Sequence, residues 1–244
     1  MRALILAAGR GTRISRYLSG NPKCTVDIGG ESLIEYTVKK LKEKGVQDIA
    51  LALGYRHEVI FQILNNYNIN FFYNPFFDVT NSIASAWFAR DFLNCGDDVL
   101  IMNGDVFMED ALYDVILDSV KSPVLFADAS RKEEADYKFK YEKGILQKYG
   151  KELQGDDITG EYIGAAKVSK GYLPTFIQTI EQMIDTQQHS VWWENVLYSR
   201  VPEMDIYVEE SQGLFWAEVD YIEDYERILK FRGYKLDFEV NVHK

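Results

Sequence analysis

The chain has 244 residues, 47% of them hydrophobic, enough for one large packed domain with a small appendage. Its formal charge of −11 argues against a nucleic-acid binder, which needs clustered Lys and Arg, so an anionic ligand has to meet a local basic patch. The two cysteines, Cys24 and Cys95, form no CxxC or Cys/His cluster, no run reaches the roughly 20 apolar residues of a membrane span, and the first apolar run is too short for a secretory signal; a cytoplasmic protein with free thiols and no membrane insertion is expected.

The run Ala3 to Ala8 is continuously apolar and closed by glycine, the pattern of a strand buried on both faces of a parallel sheet. Ser32 is a suitable N-cap for an amphipathic helix carrying Leu33, Ile34, Tyr36, Thr37, Val38 and Leu41, ended by Lys44-Gly45. Next are expected a strand Asp48 to Leu53, a helix Glu58 to Leu64, a strand Asn70 to Tyr73, a helix Ser82 to about Phe92, a strand Val99 to Met102, a helix Met108 to Ser119 and a strand Val124 to Ala127. Alternation of this kind predicts a doubly wound, mostly parallel α/β sheet that binds ligands beyond the C-terminal ends of its strands.

The texture changes after Asp128. Lys138 to Tyr141 and Ile145 to Tyr149 flank Lys143-Gly144 as a hairpin would, marking a small β-rich subregion. A strand Tyr162 to Ser169, a helix Leu173 to Ile184, a strand Phe215 to Val219 and a helix Ile222 to Phe231 follow. One domain is expected over 1–244, its texture changing between a first half, 1–128, and a second, 129–244.

Four short constellations carry chemistry. Leu6-Ala7-Ala8-Gly9-Arg10-Gly11-Thr12-Arg13 runs from a strand into a glycine turn where backbone N–H groups can approach phosphate and Arg13 adds a charged fork. It lacks the Gly-Lys-Ser/Thr of a P-loop, and Ile14 stands where a dinucleotide fingerprint wants a small residue; alone, it suits an ordinary strand-to-loop turn equally. Lys23, after Pro22, is suited to offset charge on a transferring phosphoryl group. Asp105, in Asn103-Gly104-Asp105, follows a buried strand and is placed to hold Mg²⁺. Period-two spacing puts Glu218 and Asp220 on one strand face, where a cation would relieve their repulsion.

Taken in order, these motifs resemble the nucleotidyltransferase family that makes sugar nucleotides and CDP-activated compounds. Tyr73-Asn74-Pro75, Thr80 to Ser85 and Glu218-Val219-Asp220 resemble its CTP-dependent cytidylyltransferase branch, which acts on phosphocholine, aminoalkylphosphonates or phosphoglutamine. The resemblance implies a Rossmann-like nucleotidyltransferase fold, with CTP and a small phosphorylated acceptor as partners, Mg²⁺ as cofactor and a role in cell-surface polysaccharide modification. It implies that Leu6, Ala7, Ala8 and Gly9 line the nucleoside, that Gly11, Thr12 and Arg13 meet the phosphates, and that Gly54, Tyr55, Asn81 and Ser82 form the base pocket. Lys23 and Arg13 would be catalytic, and Asp105, Asp220 and Glu218 would hold Mg²⁺.

Glu161 and Gly164 resemble the family's acceptor-contacting segment. Lys167 suits a phosphate, Trp192, Trp193 and Glu194 suit a cationic head group, and Lys138 stands where this branch often has a lysine. A phospho-amino acid would need a cation for its carboxylate, for which Arg131, Lys138 and Lys143 are candidates. Tyr137 in place of a tryptophan leans slightly away from a choline box. His57, His189 and His243 lie near no partner motif, and the alternating segment from Tyr234 to Val242 is a candidate oligomer contact. The competing readings are a hexose-1-phosphate transferase using UTP or dTTP, a silent nucleotide-binding subunit, and a Rossmann-type oxidoreductase.

Overall fold

Arg2–Ala7 (β1) lies between Asp48–Leu53 (β2) and Val99–Asn103 (β4), parallel to both, so its backbone groups are satisfied on either side and every residue after Arg2 is buried. Its side chains alternate between two cores. Ala3, Ile5 and Ala7 pack with the helices on one face, and Leu4 and Leu6 pack with those on the other. The computed structural model describes residues 1–11, 20–132 and 134–234. Thr12, Arg13 and the candidate contact segment beyond Tyr234 therefore lie outside the described residues.

Among the described residues the main sheet has nine strands, in the order Asn70–Tyr73 (β3), β2, β1, β4, Gly160–Val168 (β9), Val124–Asp128 (β6), Tyr207–Glu210 (β10), Ile145–Gly150 (β8) and Lys138–Glu142 (β7). Asn70–Tyr73 (β3) forms one edge, parallel to β2. Gly160–Val168 (β9) runs antiparallel to both β4 and Val124–Asp128 (β6), so the doubly wound sheet is mixed at this point. Beyond it, Tyr207–Glu210 (β10) pairs parallel with β6. Lys138–Glu142 (β7) and Ile145–Gly150 (β8) form the expected hairpin, turned through Lys143 and Gly144 at φ 51° and 71°, a pair of left-handed residues that suits the strand twist. The first residues of β9 also pair with β7, which ties the hairpin to the start of β9.

The amphipathic helix α1 (Leu33–Glu43) starts at Ser32, whose Oγ accepts a hydrogen bond from the Glu35 N–H at 3.3 Å. His57–Ile63 (α2) follows β2. The helix expected from Ser82 to about Phe92 is broken into Ser82–Phe88 (α3) and Arg90–Leu93 (α4), where the Ala89 N–H bonds to the Ala86 carbonyl and tightens the turn. Val106–Met108 (β5) pairs antiparallel with Trp216–Glu218 (β11), which lies within the strand expected from Phe215 to Val219; β5 and β10 are not apparent from the sequence pattern. Because Met108 closes β5, the helix expected from that residue begins instead at Asp110 (α5, Asp110–Asp118). Leu173–Asp185 (α6), Asn195–Tyr198 (α7) and Ile222–Phe231 (α8) complete the helices.

Candidate active site

The C-terminal ends of β1 and β4 are adjacent, with Leu6 in register with Asn103, and the chain turns away from both ends through glycine. A Cβ on Gly104 would stand 3.0 Å from the Leu6 carbonyl, so glycine permits the close crossing that leads to Asp105. The short β5–β11 ribbon then brings in the distant carboxylates. Glu218 is in register with Val106, and the Val219 N–H donates to the Asp105 carbonyl at 2.9 Å. The strand ends at Glu218, so Asp220 sits past it, at the start of α8. Oxygens of Asp105, Glu218 and Asp220 lie within 4.8 Å of one another.

Lys23 enters this cluster from a short 3-10 turn, Lys23–Thr25, set by Pro22. Its Nζ is 3.3 Å from Asp105 Oδ2 and is ion-paired with Asp220. Burial opposes its charge, but the Asp105 and Asp220 carboxylates prevail and hold the ammonium above the ordinary lysine range. Gly11, at φ 62°, lies against the Lys23 stem, where a side chain would collide with the methylenes. Burial first, and then the charges of Asp105 and Asp220, push the Glu218 carboxyl well above the carboxylate range. Three converging hard oxygen donors with one lysine between them suit a divalent cation of the magnesium class.

Two cavities meet at the cluster. The smaller, of about 210 Å³, is lined by Leu6, Ala8, Gly9, Asn81 and Ser82 among the expected nucleoside contacts, and also by Phe77, Thr80, Ser85 and Asn103. Ala7 borders a small recess beside Lys23 and Cys24. Asn81 caps α3, its Oδ1 accepting from the Ser82 N–H at 2.7 Å, and Ser82 Oγ accepts from the Trp193 N–H at 2.9 Å. Gly54 and Tyr55 are not among the lining residues. A Cβ at Gly54 would be 2.6 Å from Phe77, so this glycine admits the Phe77 wall, while the Tyr55 hydroxyl donates to the Gly20 carbonyl at 2.9 Å and anchors the end of the loop before Lys23.

The larger cavity, of about 490 Å³, is bordered by Arg10, Gly11, Lys23, Glu218 and Asp220 at one end, and by Asp136, Tyr137, Lys151, Tyr162, Trp192 and Tyr198 at the other. Glu194 and Asn103 face both cavities. Burial raises the Glu194 carboxyl to about 7, partly offset by hydrogen bonding to Asn103, whose Nδ2 donates to Glu194 Oε1 at 3.4 Å.

Several residues expected to touch the acceptor stand elsewhere. Lys167 is in register with Leu100, at the opposite end of β4, and its ammonium donates to the carbonyls of Leu117 and Ser119 at 2.6 and 2.5 Å, so it closes the end of α5. Trp193 is fully buried and donates its indole N–H to Asn103 Oδ1 at 2.9 Å, whereas Trp192 is exposed at the cavity wall. Glu161 faces away from the cavity and accepts the Asp136 N–H at 2.7 Å. Lys138 donates to the carbonyls of Lys151 and Leu153, both at 3.1 Å. Gly164, at φ 79°, lets β9 approach Asn103 and Val106. Glu161, Lys138 and Gly164 thus form a support layer behind the wall. Of the residues not singled out from the sequence, Asn103 had the clearest signal, since it precedes Gly104-Asp105 at a strand end; Asp136 and Lys151 had none.

Residues 3–203 match the MobA-like NTP transferase domain. The chain belongs to this family. It is therefore a nucleotidyltransferase, and its expected doubly wound fold is the family's. Among its relatives are the CTP:phosphoglutamine cytidylyltransferase of Campylobacter jejuni, 28% identical over 93% of this chain and 98% of that protein, and the choline-phosphate cytidylyltransferase of Streptococcus pneumoniae, 27% identical over 93% and 96%. In fold this transferase is similar to the Streptococcus pneumoniae CTP:phosphocholine cytidylyltransferase LicC, with a TM-score of 0.78 at 22% identity, covering 95% of this chain and 98% of that one. The inositol-1-phosphate CTP transferase of T. maritima superposes with a TM-score of 0.76 at 18% identity, over 96% and 97%. No described helix is long and apolar enough to cross a membrane.

Proposed function

We propose that this transferase moves CMP from CTP to a small phosphorylated or phosphonate acceptor, such as phosphoglutamine or phosphocholine, and releases pyrophosphate. The observation that carries the reading is the meeting of two cavities at Lys23, Asp105, Glu218 and Asp220. Cytosine is favoured because two relatives that match nearly end to end are named cytidylyltransferases, and because Thr80, Asn81, Ser82 and Ser85 present hydroxyls and an amide fit to read a pyrimidine edge. The activated product would serve cell-surface polysaccharide modification.

The nucleoside occupies the smaller cavity and the acceptor the larger. An acceptor oxygen attacks the α-phosphorus of CTP; the new P–O bond forms as the bond to the β-phosphate oxygen breaks, and pyrophosphate leaves with the electron pair. The attacking oxygen is already anionic, so no protein nucleophile or general base is required, and catalysis consists of alignment and charge compensation. Lys23 compensates the charge growing on the transferring phosphoryl group, and the backbone at Gly9 and Gly11, with Arg10, meets the phosphates; Arg13, outside the described residues, is a further catalytic candidate on the family resemblance alone. Asp105, Asp220 and Glu218 would hold Mg²⁺, which supplies neutralisation of the triphosphate charge.

The test is pyrophosphate release with Mg²⁺ from CTP, UTP, dTTP, ATP and GTP, each against phosphorylated amines, alcohols, amino acids and hexose 1-phosphates. Release confined to CTP and a non-hexose acceptor supports the reading. A hexose 1-phosphate with UTP or dTTP as the preferred pair, or no release with any pair, overturns it.

A further inference from the structure

The outer wall of the larger cavity carries paired charges. Lys151 Nζ lies 2.6 Å from Asp136 Oδ2 and 5.6 Å from the ring centroid of Trp192. Trp192 stands edge-on to Tyr137 at 5.4 Å, and Tyr137 stacks on Tyr198 at 5.8 Å, so the wall is a packed aromatic unit. The face that would take a ligand's ammonium already has a cation of the protein's own.

The backbones that carry this pair are pinned. Lys138 and Glu161 are register partners across β7 and β9. One donates to the Lys151 carbonyl at 3.1 Å and the other accepts from the Asp136 N–H at 2.7 Å. The side chains themselves are free to exchange partners. With Lys151 42% and Asp136 60% exposed, their ion pair contributes little and opens readily.

A ligand carrying only an ammonium must separate Asp136 from Lys151 and compete with Lys151 for the Trp192 face. A ligand carrying both charges replaces one ion pair by two, its carboxylate on Lys151 and its ammonium on Asp136. Further in, the Tyr162 hydroxyl lies beside Glu194 and the Tyr198 hydroxyl beside Tyr137, so this end of the cavity offers polar groups to a polar ligand body.

Resting on the acceptor side of the proposed reaction, we infer that Lys151 is a specificity-determining residue for a zwitterionic acceptor, a phospho-amino acid whose carboxylate it binds while Asp136 receives the ammonium.

O-phosphoserine and phosphoethanolamine differ only by the carboxylate and are the probes. Their binding is measured by calorimetry with the α,β-methylene analogue of CTP present, and their turnover by pyrophosphate release with CTP. The wild type is expected to prefer phosphoserine, and Lys151→Met to lower the phosphoserine-to-phosphoethanolamine selectivity roughly tenfold or more. Lys148→Met is the charge-matched control: Lys148 lies on β8 and pairs with Asp157 at 2.6 Å outside the cavity, so the selectivity stays at the wild-type ratio. Equal or tighter binding of phosphoethanolamine by the wild type, or an equal effect of Lys151→Met on both ligands, overturns the assignment of Lys151. A Lys151-dependent binding preference without pyrophosphate from any acceptor upholds that assignment and overturns the proposed reaction. Pyrophosphate from both acceptors without such a preference does the reverse.

Discussion

Lys23 and Asp220 lie 197 positions apart in the chain and meet as an ion pair between the two cavities. The contact requires the Pro22 turn on one side, and on the other the β5–β11 ribbon followed by the first turn of α8. Asp224 helps to fix that end by accepting the Tyr221 N–H at 3.0 Å.

If Lys23 compensates charge that grows in the transition state, Lys23→Ala lowers kcat by about 100- to 1,000-fold and changes the Kd for CTP only a few-fold. Steady-state kinetics with calorimetric nucleotide binding separates the two. Turnover within twofold of wild type removes Lys23 from the catalytic role.

Magnesium is expected to raise the thermal midpoint of the wild-type protein, because a ligand bound by the folded carboxylate cluster and not by the unfolded chain stabilises the folded state. Asp105→Asn and Asp220→Asn each reduce that shift. Equal wild-type midpoints in millimolar Mg²⁺ and in EDTA contradict the cluster's assignment as the metal site.

Lys167 answers as a structural lysine. With its ammonium bonded to two carbonyls at the end of α5, Lys167→Met leaves those acceptors unsatisfied and lowers stability by about 1–3 kcal/mol, with the acceptor KM unchanged. Urea unfolding and acceptor kinetics read the two effects, and a raised acceptor KM without loss of stability returns Lys167 to the acceptor site.

Glu161 contributes a pH dependence whose sign is fixed by its environment. Burial raises its carboxyl to about 7, partly offset by the Asp136 N–H it accepts. A carboxyl raised above its unfolded value adds stability that is full below the unfolded pKa and is lost as pH rises through about 7, so its share of stability falls between pH 4.5 and 7. Glu161→Gln keeps the acceptor oxygen and removes the titration. Urea unfolding at pH 5 and pH 8 should show a smaller difference in stability for the variant than for the wild type; an unchanged difference contradicts this environment.

The smaller cavity was legible in part because one wall of it is local: an apolar strand and the glycines at its end fall on one chain segment, whereas Gly54 and Tyr55, expected beside it, do not line it. Leu6, Ala8 and Gly9 of this segment line the smaller cavity, joined by Asn81 and Ser82 from the start of α3. The acceptor side was less legible because it is assembled across strands. Period-two spacing cannot tell which face of β9 meets the cavity, and Glu161 and Lys167 both point away from it while Tyr162 lines it. The ribbon that positions Glu218 was hidden for another reason. Trp216–Glu218 falls within the strand expected from Phe215 to Val219, but its partner Val106–Met108 is three residues long, too short for an alternation to register.

Phosphorus NMR of the wild type and Lys23→Ala with CTP, Mg²⁺ and phosphoserine follows both products of the transfer at once. A new CDP-linked diphosphate pair and free pyrophosphate are expected to grow together with the wild type, and at least about 100-fold more slowly with the variant. CTP that stays intact beside a binding-competent acceptor, or equal product rates from the two proteins, would contradict the proposed reaction.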